Sequence, residues 1–218
     1  MFNLLIKDLK LGVNPLFFVF PIVMGALMLI PGWVYFIVVM YFFWVTAPNL
    51  FAQFRSSNDL LFTAMMPVTK KDMVKARVSV FVILELMHIV FAMIYGLITI
   101  HLYPNVTYHF FAPHMGFWGL NFAMFAIYNI ILIPMYYKTA YKYGTAQLVS
   151  IVAAMIFAGV AQWLGIQSSY LFDIFNGSGA DNMALQTSIL VAGIIIFIAF
   201  TMIAYRIAVK RFLQVEIQ

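Results

Sequence analysis

The 218-residue chain contains no cysteine, which excludes disulfides, thiolate catalysis and cysteine-bound metal. Charge is scarce as well. Asp, Glu, Lys and Arg make up 9% of the residues, against about 25% in a soluble domain. A water-soluble fold needs a polar surface, and this composition cannot supply one. Several signatures of chemistry are missing too. There is no G-x-x-x-x-G-K-[ST] phosphate loop, so the chain does not bind ATP by that route. Neither H-E-x-x-H nor G-x-S-x-G occurs. No catalytic set and no metal site is expected.

What the chain has in quantity is apolar surface. Hydrophobic residues make up 65% of it, and the mean hydropathy is +1.00. The bilayer must be its solvent, and helices satisfy their own backbone there. The sequence therefore reads as an all-α polytopic membrane protein with one transmembrane domain over 1–218. Six spans are expected, at about 11–30, 33–54, 78–100, 115–136, 145–165 and 187–205. Pro31-Gly32 marks a tight turn between the first two, and Pro48 a kink in the second. No small-residue cleavage site follows the first apolar run, so that run reads as a retained helix.

The basic residues give the orientation. The net charge is +5, a balance suited to nucleic acid or to an anionic membrane surface. Their positions decide for the membrane. Lys7 and Lys10 precede the first span; Arg55, Lys70, Lys71, Lys75 and Arg77 lie between the second and third. Lys138 and Lys142 lie between the fourth and fifth, and Arg206, Lys210 and Arg211 follow the sixth. All twelve Lys and Arg thus fall on one side. Six spans with both termini in the cytoplasm satisfy the positive-inside rule at every loop. No nucleic-acid partner is expected.

Four regions carry candidate function. Residues 2–12 have apolar positions at helical spacing with Lys7 and Lys10 opposite, which predicts an amphipathic elbow helix on the cytoplasmic surface. Glu85 is the one acid inside a span, with His88 three residues on. An intramembrane carboxylate marks a pathway or a relay unless it is paired and packed. Ala154, Ala158, Ala161 and Gly165 form a row of small residues, read either as ordinary packing or as a dimer seam. The outer loop 166–186 holds Tyr170-Leu-Phe-Asp-Ile-Phe175, an apolar run too short to span and suited to an interfacial helix capping the bundle.

The segment 55–77 is the most informative. Ser57 or Asn58 can cap a short helix from Asp59 to about Met66, and Pro67 stops it. Leu60, Leu61, Phe62, Met65 and Met66 are apolar, yet this loop lies in water, and exposed apolar helices meet partners. Thr69 caps the next helix with Asp72 three residues on, and that helix runs into the third span.

This stretch, Asp59-Leu-Leu-Phe-Thr-Ala-Met-Met-Pro-Val-Thr-Lys-Lys-Asp-Met-Val-Lys-Ala-Arg77, resembles the joint between spans two and three in permease subunits of bacterial type-2 ABC exporters. Family members often carry Leu where Met66 stands. The elbow, the six spans, the large outer loop and the basic C-terminus extend the resemblance over the whole topology. It implies a multi-pass protein of the bacterial cytoplasmic membrane, paired with itself or with a related permease. It also implies a separate ABC ATPase, which would hold the ATP and Mg; this chain would carry no cofactor. Asp59–Met66 would be the coupling helix seated in that ATPase, with Pro67, Thr69 and Asp72 as its turn and cap. The nearest relatives suggested are exporters of amphipathic peptides or antimicrobials, including the phenol-soluble modulin exporters of staphylococci. Two other classes stay open: a stand-alone carrier or channel using Glu85, and a membrane enzyme or assembly factor.

Overall fold

The computed structural model describes residues 2–139, 142–177 and 179–215. The side chains of Phe2, Leu11, Leu60 and Leu61 lie outside the described part. Every regular element among the described residues is helical. Five helices are long and apolar enough to cross a membrane: Tyr35–Ser56, Lys70–Leu102, Met115–Lys138, Gly144–Gln167 and Ala180–Leu213. A shorter apolar helix, Leu16–Leu29, precedes them.

The elements follow the sequence signals closely. α1 (Phe2–Lys7) continues as a π turn over Asp8–Gly12. The chain then bends at Val13-Asn14, so α2 (Leu16–Gly25) begins later than the apolar pattern alone suggests. Gly32 takes φ +71°, a left-handed turn open to glycine, right after Pro31. α3 (Tyr35–Tyr41) and α4 (Ala47–Ser56) are one span, joined by a π turn over Phe42–Thr46. Pro48, just beyond that turn, lacks an N–H and disturbs the ladder there. The Phe43 carbonyl is instead taken by the Gln147 side-chain amide at 2.8 Å.

α5 (Asp59–Ala64) is shorter than the expected helix to Met66. Asn58 before it adopts φ +48°. α6 (Lys70–Leu102) runs from the connecting segment straight through the third span. α7 (Met115–Lys138), α8 (Gly144–Gln167), α9 (Ser169–Asn176) and α10 (Ala180–Leu213) complete the chain. α10 begins seven residues before the expected start of the sixth span, because its first turns close over α9. There the Gln186 amide donates to the Ile174 carbonyl at 2.6 Å.

α7 is the innermost helix. Phe117, Trp118, Phe125, Tyr128, Tyr136 and Tyr137 on it are fully buried. Tyr128 stacks on Phe43 with ring centroids 4.2 Å apart, and Phe125 meets the same ring at 4.8 Å. α10 packs along α7 more extensively than any other pair of elements. Gly119 and Gly193 make this approach possible, since a Cβ on either would strike the other helix's backbone. α8 and α10 present broad apolar faces outward, including Ile156, Trp163, Ile195 and Ile198, as helices in lipid do.

Both ends of the chain meet the start of α6. Asp8 lies against Arg77, and the Lys70 ammonium donates to the Val215 carbonyl at 2.7 Å. The described residues nearest both termini therefore lie at one end of the bundle, hereafter the basic end.

A candidate coupling site at the basic end

α5 is amphipathic in an inverted sense. Asp59 and Thr63, four residues apart, turn inward and are buried, whereas Phe62 is 57% exposed and Met65 84%. The i, i+4 spacing makes this inevitable: two polar positions share one edge and leave the apolar ones on the other. Of the expected docking residues, Phe62 and Met65 are therefore open on the surface, Met66 is half-buried, and Asp59 turns inward instead. Leu60 and Leu61 have side chains outside the described residues.

The inward edge meets a buried ionic cluster. The Lys7 ammonium lies 2.9 Å from one Asp59 oxygen, 2.8 Å from Asp8, and 2.8 Å from the Thr63 hydroxyl. The Arg77 guanidinium donates to the other Asp59 oxygen and reaches Asp8 at 3.7 Å. Arg77 also lies over the Phe54 ring at 3.7 Å, a cation–π contact from α4. Two acids and two bases thus join α1, α5 and the foot of α6, with α4 as a wall. Burial would push the Asp59 carboxyl up, but the Arg77 charge and the Lys7 hydrogen bond outweigh it and hold it below its ordinary value. Removing one member of such a cluster strands a buried charge, which is far costlier than the net worth of the pair.

The turn after α5 is as expected. The Thr69 hydroxyl accepts from the Asp72 N–H at 3.1 Å and donates to its carboxylate at 2.7 Å. That hydroxyl is the chief reason the Asp72 carboxyl sits below its usual range.

The intramembrane polar residues are arranged differently from the expectation. Glu85 and His88 are both fully buried, but they do not form one site. Glu85 accepts from the Asn129 amide of α7 at 2.9 Å, and that amide lies 3.2 Å from the Thr201 hydroxyl of α10. The His88 Nε2 sits 3.1 Å from the Val38 carbonyl of α3. Three residues of helix set the two side chains about 60° apart on one face, and in this crowded bundle that offset is enough to give them different neighbours.

The small-residue row is also internal. Ala154, Ala158 and Gly165 are buried by the chain itself, Ala161 partly so, and Gly165 lies under the Phe111 ring. Its packing reading fits this burial; as an open seam for a second copy it is already covered.

Sequence reasoning passed over Lys7, Asp8, Thr63 and Arg77 as site residues, along with Asn129 and Thr201. The available signals were the polar i, i+4 edge on α5 and a lone Asn in mid-span. The profile described as ABC-2 family transporter protein matches residues 3–212. No curated protein and no solved structure matches the chain.

Proposed function

Because the chain belongs to the ABC-2 family of transporter proteins and is the multi-pass membrane permease of an ABC transporter, we propose that it drives export by seating α5 in a separate ABC ATPase. The observation that carries this is α5 itself. The apolar side chains of Phe62 on it and of Met65 just beyond it are open, while its polar edge is fixed to two other elements, α1 and α6. A helix held in this way passes a push from a partner into the bundle instead of absorbing it. The ATP and Mg belong to the partner, and the elbow, α5 and α6 carry its motion inward through Lys7, Asp8, Asp59 and Arg77.

Six crossings with both termini in the cytoplasm suit this reading. Residues near both ends of the chain lie beside the start of α6, which favours an even number, and Leu16–Leu29 would be the sixth crossing, at roughly 20 Å and assisted by local thinning. The membrane is the bacterial cytoplasmic membrane. The permease works as a pair, with itself or a related permease, and moves a hydrophobic or amphipathic substrate outward, of the peptide toxin or antimicrobial class. A stand-alone carrier using Glu85 would instead run without ATP.

The test is co-purification with the candidate ATPase, comparing wild type with Phe62→Asp/Met65→Asp. Both positions are exposed, so the bundle should keep its elution volume while ATPase capture falls at least about tenfold. Undiminished capture by the double variant would sink the coupling role of α5.

A further inference from the structure

α4 and the turn before it carry a second feature, which the coupling role does not use. Thr46, Asn49, Gln53 and Ser56 recur at spacings of three, four and three, so they form one stripe along the helix. Along it Asn49 and Ser56 are exposed and Gln53 is half-buried, while Thr46 is enclosed at the mid-span end. The stripe lines a groove of about 480 Å³ between α2 and α4, whose opposite wall is Leu16, Phe17 and Phe20. The groove runs from mid-span toward the basic end, where α4 stops at Ser56.

Two properties of the groove point to an occupant. Thr46 is only 1% exposed, and its hydroxyl has no hydrogen-bond partner among the described residues. A buried hydroxyl without a partner costs about 1–3 kcal/mol, so the site is incomplete as it stands. Asn49 spends an amide hydrogen on the Val45 carbonyl at 2.7 Å, and the Gln53 side-chain oxygen accepts from the Asn14 N–H at 3.2 Å. Each of these amides retains further capacity. Among the described residues the lining contains no charged side chain, so an ionic headgroup would find no counter-charge there.

We propose that this groove binds a neutral amphipath: an uncharged amide or hydroxyl head on the Thr46–Ser56 stripe and an apolar chain against Phe17 and Phe20. Resting on the exporter reading, it names the chemistry of what reaches the bundle from the inner leaflet. Two sources share that chemistry, a transported compound and a resident neutral lipid.

The test uses the full chain in lipid nanodiscs with its ATPase, and a diazirine-bearing decanoyl ethanolamide as photoprobe. Labelling should fall on peptides containing Phe17, Phe20 and Asn49, and drop about fivefold in Thr46→Val and in Asn49→Leu, the loss of one hydrogen bond. Thr46→Val should leave the unfolding midpoint unchanged or higher, since it removes an unpartnered hydroxyl; a purely structural Thr46 would do the opposite. A trimethylammonium analogue should label at least about fivefold less. If the probe also stimulates ATP hydrolysis, the occupant is transported; labelling without stimulation assigns the groove to a lipid. Labelling spread evenly over α8 and α10, indifferent to Thr46→Val, overturns the proposal. So does spontaneous disulfide pairing of two copies through Asn49→Cys, which the cysteine-free chain makes unambiguous. ATPase capture is scored on the same samples: lost capture with groove labelling intact sinks the exporter reading and leaves the binding site standing.

Discussion

Two buried polar assemblies sit on α6, about 12 Å apart at 1.5 Å per residue. Around Arg77, two acids and two bases neutralise one another across three elements. Around Glu85, a single acid accepts from an amide that also reaches a hydroxyl, with no cation in an ion pair to it among the described residues. The first lies at the basic end, where ions can be paired and partly hydrated. The second lies where a lone full charge is expensive. The difference separates two ways of joining helices. The ionic joint is strong but intolerant, because each charge depends on the others. The amide joint is weaker, and tolerates the loss of a charge that it never balanced.

Breaking the ionic joint should give the largest effect. Arg77→Ala leaves Asp8 and Asp59 with Lys7 alone, and should cost about 3–5 kcal/mol. Thermal unfolding in detergent would show it, together with loss of ATPase capture, because α5 loses its anchor. At the amide joint, Asn129→Leu removes the donor to Glu85 and should cost about 1–3 kcal/mol, while Glu85→Gln should cost under about 1 kcal/mol. A Glu85→Gln variant as unstable as Arg77→Ala would erase the contrast. The smallest effect is that of acid. The Asp59 carboxyl is held below its ordinary value of 3.8, so its contribution is complete above that value and fades as pH falls below it. Between pH 7 and 5, ATPase capture should therefore stay flat; a loss near pH 6 would point to a different titrating group.

Much of this was legible in the sequence. The apolar run lengths pointed to an all-helical membrane chain, and the sorting of twelve basic residues placed Lys7, Arg77 and Lys70 on one side, where the structure gathers them. Thr69 and Asp72 announced their own cap. What stayed hidden depended on partners distant in the chain. Nothing local says that Lys7 meets Asp59, 52 residues on, or that Glu85 turns to Asn129 rather than to His88. The row from Ala154 to Gly165 is covered within the chain, and a pattern of small residues cannot say whose helix fills it. The Thr46–Ser56 stripe was in plain view as spacing, masked by the apolar residues around it.

The π turn over Phe42–Thr46 has a consequence for that stripe. A π turn accommodates one more residue than an α turn, and each residue sets the helix round by about 100°. The turn therefore fixes the azimuth of everything after it relative to α3. Deleting one residue between Phe42 and Thr46 would shorten the span by only about 1.5 Å, yet would swing Asn49, Gln53 and Ser56 away from α2 and bring apolar side chains round in their place. The bundle's polar track is thus set by the phase of a single helical turn, independently of the length of the span that carries it.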